Sequence, residues 1–246
     1  MSGATGPAPT VYVAGRASAS HTARATELLA YLATHRPGVT TTRLAEVHSP
    51  DVQRSPATLH SLVSRMRRWL GSAPDGVPWL PRSRAGHLLS LDPRVRTDWD
   101  DFNELTTARP QDAPTEALAT ALRLVRAQPL SGAPPGRWGW ADELRQEMLE
   151  ATGAVCHELA QRYVADADLS SARRAAALGR TLDPADERIW RTALSIELRA
   201  GDANAQRRLI AQLVRIVDHR DIDEQTAELI ADVERQPATS SRAWPA

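Results

Sequence analysis

The chain has 246 residues, a length that accommodates two ordinary domains, and its formal net charge at pH 7 is zero. The charge is unevenly divided, because residues 1–97 carry 12 arginines against five acidic residues, whereas residues 98–246 carry 18 arginines against 25 acidic residues. This division predicts a basic module that suits a polyanion, followed by an acidic module with different partners.

All 30 basic side chains are arginines, which excludes enzymes that need a lysine Schiff base or a phosphate-loop lysine. Cys156 is the single cysteine of the sequence, which excludes an internal disulfide and a cysteine zinc cluster. The first residues lack the pattern of a signal peptide, and no apolar run approaches the roughly 18 residues of a membrane span. We therefore expect a cytoplasmic protein with no segment inserted in a membrane.

The N-terminal part of the sequence predicts a strand and two helices. Residues 1–10 are rich in Gly, Pro, Ala and Thr and are predicted to be a disordered leader. Residues 11–13 predict a short strand, and a helical pattern follows from about residue 21 to residue 35. Thr40 is then expected to cap a short helix that continues to about Val47.

Residues 57–70 form the most informative segment of the sequence, and their pattern predicts a single helix. One face of this helix is apolar, with the spacing of a buried stripe. The apolar members are Leu59, Leu62, Val63, Met66 and Leu70. The opposite face is polar and basic, as in a helix that reads nucleic acid, although a run of charges is more often simply a solvated face.

A short hairpin is predicted after this helix, with Trp79–Arg82 and His87–Leu91 as its strands and Ser83–Gly86 as its tip. Arg82 and Arg84 place two cations on the hairpin. A half-buried helix with a basic outer face, followed by a basic hairpin, is typical of a winged helix-turn-helix that binds DNA.

The predicted DNA contacts divide by chemistry into two groups. Short polar side chains, a histidine and one arginine are suited to base edges in the major groove, and further arginines are suited to phosphates, where they fix the register. The residues predicted at base edges are Thr58, His60, Ser61, Ser64 and Arg65. The residues predicted at phosphates are Arg67, Arg68, Arg82 and Arg84.

The second half of the sequence is predicted to be helical almost throughout. Asp98 is expected to cap a helix that carries Trp99 and Phe102, and Pro114 begins another. Five more helical patterns follow at about 138–165, 169–181, 185–200, 203–217 and 223–234. Asp168 and Asp202 start two similar Ala/Arg-rich helices 34 residues apart, which is the period of tetratricopeptide repeats. Residues 236–246 are predicted to be a flexible tail.

Several residues that suggest chemistry have simpler structural explanations. Asp98, Asp100 and Asp101 are placed for capping a helix start rather than for holding a metal. The histidines show no metal-ligand spacing, and Cys156 next to His157 is expected to be a buried thiol, because adjacent residues on a helix point about 100° apart. Four tryptophans are expected to anchor the core rather than to form a ligand cage, namely Trp99, Trp138, Trp140 and Trp190. We predict neither catalytic residues, nor a metal site, nor a cofactor, and hence a protein that is not an enzyme.

Several motifs along the chain together resemble one known arrangement. In the winged-helix part they are Ala23–Leu32, Thr58–Gly71 and Thr97–Phe102; in the second half they are Ala121–Arg126, Trp140–Ala141, Gln146–Met148 and His157–Ala160. Over residues 11–235 the sequence resembles a winged helix followed by the bacterial transcriptional activator domain, as in the Streptomyces antibiotic regulatory proteins. It is most similar to the corresponding regions of large actinobacterial proteins, some of which carry LysM and membrane segments.

This resemblance implies a mainly α fold with two domains. Residues 11–97 would form an N-terminal winged helix-turn-helix with a small β-hairpin wing, and residues 98–235 an all-helical, tetratricopeptide-like domain. The implied function is a transcriptional regulator that binds double-stranded DNA through the winged helix. The helical domain would support a homodimer or activation through RNA polymerase or another protein.

Two departures from the family pattern leave an alternative open. The second helix lacks the Leu-Trp-Pro ending of many relatives, and the third helix begins Pro56-Ala57-Thr58 where relatives often have Arg-Asn-Thr. The missing Arg and Asn are side chains that would bond phosphate or base edges. The alternative is a protein–protein interaction module, such as the cytoplasmic end of a membrane-anchored protein, whose winged helix no longer binds DNA.

Overall fold

A computed structural model describes residues 10–13, 23–48, 56–82, 88–107, 109–132, 138–217 and 222–235. The described part is mainly helical and has one pair of very short strands, which confirms the predicted fold class. The strands are β1 (Thr10–Val11) and β2 (Arg96–Thr97). The helices are α1 (Ala23–Thr34), α2 (Thr41–His48), α3 (Pro56–Leu70), α4 (Asp98–Thr106), α5 (Thr115–Leu124), α6 (Asp142–Ala165), α7 (Leu169–Leu182), α8 (Glu187–Ala200), α9 (Ala203–Ile216) and α10 (Glu224–Arg235). Single 3₁₀ turns precede α5 and α6.

The chain forms two compact units, each assembled from two stretches of sequence. The first unit consists of Met1–Thr107 and Arg123–Met148, and the second of Ala108–Leu122 and Leu149–Ala246. The predicted boundary between residues 97 and 98, which separates family modules, stays a prediction. The tail and residues 1–9 of the predicted leader lie outside the described residues, whereas Thr10, predicted as the last residue of the leader, belongs to β1.

The N-terminal strand ties together distant parts of the first unit. β1 pairs in parallel with β2, with Thr10 opposite Arg96. The backbone amide of Val13 donates to Asp98 Oδ1 at 2.6 Å, and the carbonyl of Val13 accepts from the amide of Leu130 at 3.0 Å. Asp98 is buried and also accepts from Arg126 Nη2 at 2.9 Å. One carboxylate therefore joins the strand to a segment far along the chain.

The prediction that Asp98 caps α4 is wrong, because the cap is the preceding residue. Thr97 Oγ1 accepts from the amide of Asp100 at 2.9 Å, and the amide of Thr97 donates to Asp100 Oδ2 at 2.7 Å. This reciprocal pair is a capping box. It leaves the Asp98 carboxylate available for Val13 and Arg126. Asp101 pairs with Arg96 at 2.8 Å, so none of the three aspartates is left for a metal role.

The predicted hairpin after α3 is wrong in its strands. The described residues 79–82 and 88–91 form no strand ladder with each other, and just beyond them the amide of Asp92 donates to the carbonyl of Trp79 at 2.9 Å. Pro78 and Pro81 lack an amide hydrogen, so this arm cannot donate a continuous series of ladder bonds. Leu89 pairs instead with Val39, through antiparallel bonds of 2.9 and 2.7 Å.

The second unit is built around α8, which packs against α7, α9 and α10. Asp168 and Asp202 lie at the starts of α7 and α9, as predicted, and both cap their helices: Asp168 accepts from the amide of Ser171, and Asp202 from the amide of Ala205. Trp190 lies in the core, and its indole Nε1 donates to the carbonyl of Pro184 at 2.9 Å. The helical, tetratricopeptide-like character of this half is therefore confirmed.

Most of the predicted core residues are buried as expected. Trp99, Trp138 and Trp190 are buried, and Trp140 is half-buried with its indole edge-on to Tyr31, at a centroid distance of 4.9 Å. Cys156 is fully buried, and burial raises the pKa of its thiol to about 12, which confirms an inert core thiol. In the described ranges, no helix is long and apolar enough to cross a bilayer and no His, Cys, Asp and Glu side chains cluster as metal ligands.

A candidate nucleic-acid interface

The third helix is fixed in place by its apolar side. It begins at Pro56, a residue suited to the first helical position, and it ends before Gly71, whose positive φ of 72° reverses the chain. Val63 and Met66 are buried, whereas the other members of the predicted apolar stripe, Leu59, Leu62 and Leu70, are only half-buried. The helix is therefore held along one side, and its other side faces solvent.

The solvent side of α3 carries most of the residues predicted to contact DNA. Thr58, Ser61, Arg65 and Arg68 follow one another at spacings of three and four residues, so they form one stripe along the helix. All four are exposed, as are Ser64 and His60 at the edges of the stripe. Arg67 and Arg68 lie in the last turn, where positive charge is favourable next to the helix carbonyls.

Arg67 differs from its neighbours, because its guanidinium is used inside the protein. Its Nε donates to the carbonyl of Leu80 at 3.2 Å, and its Nη2 donates to the carbonyl of Pro81 at 3.1 Å. Burial and the nearby Arg82 lower the pKa of Arg67. Arg67 thus fastens the end of α3 to the segment that follows it, and it brings Arg82, which is exposed, close to the helix.

The segment after α3 is also held against the loop before α2. Leu89 bonds with Val39 in both directions, and a Cβ on Gly38 would lie 2.8 Å from the carbonyl oxygen of Leu89. Gly38 has a φ of 139°, so the close approach needs glycine at this position. Arg84 and the rest of residues 83–87 lie outside the described residues.

Arg94 is a positioning residue that the sequence reasoning missed. Its Nε donates to Asp92 Oδ1 at 2.8 Å, its Nη1 donates to Asp75 Oδ2 at 2.7 Å, and its guanidinium lies over the Trp79 ring at 5.2 Å. Its hydrogen bonds raise the pKa of Arg94, and they lower the pKa of Asp92. The acid–base spacing of Asp92 and Arg94 is the sequence signal that could have identified this clasp. One arginine of the basic half is thereby neutralised.

The fold of this protein is similar to that of a solved structure. No protein-family model matches the sequence, and no curated protein has a significantly similar sequence. The structure of Mycobacterium tuberculosis EmbR in complex with a low-affinity phosphopeptide is similar, with a TM-score of 0.67 and 20% sequence identity. The match covers 92% of this chain, which in turn spans 65% of the EmbR chain. At this identity the two proteins share a fold.

Proposed function

We propose that the protein is a DNA-binding transcriptional regulator whose α3 is the recognition helix. The observation that carries this proposal is the solvent-facing stripe of Thr58, Ser61, Arg65 and Arg68 on a helix that is buried along its opposite side. An α-helix presented in this way fits the major groove of B-DNA, where hydroxyl groups and guanidinium groups can bond base edges.

The proposed contacts follow from where the described side chains lie, and Arg84, which lies outside the described residues, is included from the sequence. Thr58, His60, Ser61, Ser64 and Arg65 face base edges, and Arg68, Arg82 and Arg84 neutralise phosphates. Arg67 adds positive charge beside Arg82, but its two bonds to carbonyl oxygens make it chiefly a positioning residue. Phosphate contacts of this kind set register and affinity, and base contacts set sequence preference.

The helical half completes the proposed regulator. Residues 98–246 carry an excess of acidic side chains, which disfavours contact with DNA and favours contact with proteins. We propose that this half supports a homodimer and offers a surface to RNA polymerase or another protein of the transcription machinery.

A protein-binding winged helix is the second candidate, and one observation favours it. Trp69, near the end of α3, exposes 38% of its surface beside the polar stripe. Exposed tryptophans are enriched at protein interfaces, where their large rings supply apolar contact. In this candidate α3 packs against a partner protein, and duplex DNA is not bound.

A salt titration separates the two candidates. We expect fluorescently labelled fragments of the source genome to bind the full chain at about 50 mM salt, with an affinity that falls steeply as salt rises. Arg65→Ala/Arg68→Ala should weaken binding at least tenfold and reduce the slope of log K against log salt by about one, because Arg68 is the phosphate contact of the pair and Arg65 is assigned to a base edge.

The matched control is Arg24→Ala/Arg199→Ala, which removes the same charge from exposed positions outside α3. This control should retain affinity within about twofold and keep the salt slope, since it removes no phosphate contact. Equal losses in both double variants would mean that net charge rather than α3 governs binding. No detectable binding by the unaltered chain at the low salt concentration would contradict the proposal and favour the protein-binding candidate.

A further inference from the structure

Two helices of the acidic half carry only positive charge. Within their bounds, α7 and α9 each contain three arginines and no aspartate or glutamate. Acidic side chains of the second unit lie on α6, α8 and α10 and in the segments between helices, among them Asp168 and Asp202 at the starts of α7 and α9. The acidic excess of residues 98–246 therefore conceals a basic surface.

The arginines of α7 and α9 border a groove whose floor is α8. Two adjoining depressions, of about 400 and about 290 Å³, share Arg180 and Gln212 in their lining. Arg173 and Arg208 line the smaller depression, and Arg215 lines the larger one. The groove thus carries four guanidinium groups along its borders.

The floor and one end of this groove are apolar. Ala193 and Ile196 of α8 contribute to the floor, and Trp190 lines the larger depression. Ile216, at the end of α9, lines the same depression and exposes 49% of its surface. An apolar floor with a cationic border favours a ligand that combines apolar and acidic side chains.

Arg180 lies at the centre of the groove and is incompletely paired. Its guanidinium lies 4.8 Å from the centroid of the Trp190 ring, and Nη1 donates to Gln212 Oε1 in a long bond of 3.4 Å. Its Nε is buried and has no hydrogen-bond partner, and burial lowers the pKa of Arg180. A buried cationic donor without an acceptor is costly, and an acidic group in the groove would satisfy it.

Glu197 is the one carboxylate among the described lining residues, and it is already neutralised. Arg173 donates to it through Nε at 2.8 Å and through Nη2 at 2.7 Å, in a bidentate pair. The Glu197 side chain exposes only 9% of its surface. The nearby Asp202 carboxylate partly offsets the charge of Arg208, so Arg180, Arg215 and the remaining charge of Arg208 attract an anion.

We propose that this groove binds an acidic–apolar peptide segment of a partner protein. Its carboxylates would pair with Arg180, Arg208 and Arg215, and its apolar side chains would cover Ile216, since Trp190 beside it is only 3% exposed. Duplex DNA fits less well, because the charged phosphates of its backbone make no favourable contact with apolar side chains. This proposal goes beyond the DNA-binding function and does not depend on it.

The test measures binding of a labelled 12-residue peptide, three repeats of Glu-Leu-Asp-Phe, to the full chain by fluorescence anisotropy. Arg208→Glu/Arg215→Glu, which reverses two lining arginines, should weaken binding at least tenfold. Arg174→Glu/Arg207→Glu changes the charge equally on the same two helices, at exposed positions that do not line the groove. It should stay within about threefold of the unaltered chain.

Three further measurements complete the test. A 12-residue polyglutamate should bind at least tenfold more weakly than the apolar-containing peptide, and Arg65→Ala/Arg68→Ala should leave peptide binding unchanged. Equal weakening by the two charge-reversed variants, equal binding of polyglutamate, or no peptide binding would overturn the proposal. Tighter binding of a 20-base-pair duplex than of the peptide, lost in Arg208→Glu/Arg215→Glu, would assign the groove to nucleic acid instead. Separate variants alter α3 and the groove. A failure of the peptide proposal therefore does not contradict the DNA-binding proposal, and the reverse also holds.

Discussion

The protein has two arginine-bearing surfaces, and they differ in shape and in what surrounds the charges. On α3 the stripe of Thr58, Ser61, Arg65 and Arg68 projects from a helix, and its neighbours are hydroxyl groups. In the groove between α7 and α9 the arginines surround an apolar floor that includes Trp190. The same residue type thus serves a projecting polar surface in one unit and a recessed apolar surface in the other.

This contrast shows that arginine alone does not identify a nucleic-acid site. A projecting helix can enter a DNA groove, where the contact surface is polar or charged apart from the thymine methyl groups. A recessed site with an apolar floor gains energy only from a ligand that has apolar side chains to bury. Because the two surfaces lie on different helices, a substitution can alter one of them and leave the other intact.

The largest expected effect comes from removing the floor of the groove. Trp190→Ala deletes a side chain that is 3% exposed and should lower the free energy of unfolding by about 3–5 kcal/mol. It should also abolish peptide binding, because the apolar floor and the support of Arg180 are lost together. Urea unfolding followed by circular dichroism measures the stability.

The control for this change is Trp190→Phe, which retains most of the apolar volume and loses only the bond to Pro184. It should cost clearly less than Trp190→Ala and should keep DNA affinity within about twofold, because α3 lies in the other unit. Equal destabilisation by both substitutions would show that the indole bond, rather than the buried area, dominates at this site.

An intermediate effect should separate two adjacent arginines of α3. Arg67→Ala loses two bonds from a guanidinium to carbonyl oxygens and should lower the free energy of unfolding by about 1–3 kcal/mol. Arg68→Ala, at an exposed position, should change stability by less than about 0.5 kcal/mol and act on DNA affinity instead. Denaturation and DNA titrations of both variants distinguish the two roles. An unchanged free energy of unfolding in Arg67→Ala would contradict the positioning role of Arg67.

The smallest expected effect concerns the caps of α7 and α9. Hydrogen bonds from Ser171 lower the pKa of Asp168, and the backbone amide of Ala205 lowers the pKa of Asp202. Because both pKa values are lower in the folded state than in the unfolded chain, the ionised carboxylates stabilise the fold at pH values above the ordinary pKa of 3.8. This contribution is lost as the pH falls through the lowered pKa values of the folded state.

Melting temperatures from pH 7 down to pH 2 measure this dependence. Asp168→Asn/Asp202→Asn keeps an N-cap acceptor but removes the titrating group, so its melting temperature should decline less steeply below pH 4 than that of the unaltered chain. Identical acid profiles would show that other carboxylates set the acid stability.

The helices and the caps of the second unit were predictable because their signals are local. The apolar spacing in α3 fixes which side is buried, and Asp168 and Asp202 precede their helices in the position where a side-chain oxygen meets free amides. Trp99 and Trp190 were likewise expected in the core, since large aromatic side chains on helices are usually buried there.

The remaining features depend on contacts that a linear pattern does not encode. Thr97 and Asp98 are both good capping residues, and only the pairing of Val13 with Asp98 decides between them. Arg67 and Arg68 are equivalent in sequence, and only the carbonyls of Leu80 and Pro81 separate their roles. The groove between α7 and α9 was not predicted, because the packing of both helices on α8 decides which arginines line it.

The attachment of Val13 has a consequence for how the protein is made. Its amide bonds to Asp98 and its carbonyl to Leu130, so the second of these bonds cannot form until residue 130 has been synthesised. At about 5–20 residues per second, the 117 residues from 14 to 130 take roughly 6–25 s. β1 can pair with β2 once residues 96–97 have been synthesised, but the carbonyl of Val13 still lacks its partner at that point. The first unit therefore closes late, and a fragment that stops before Asp98 would leave its N-terminal strand without either of these bonds.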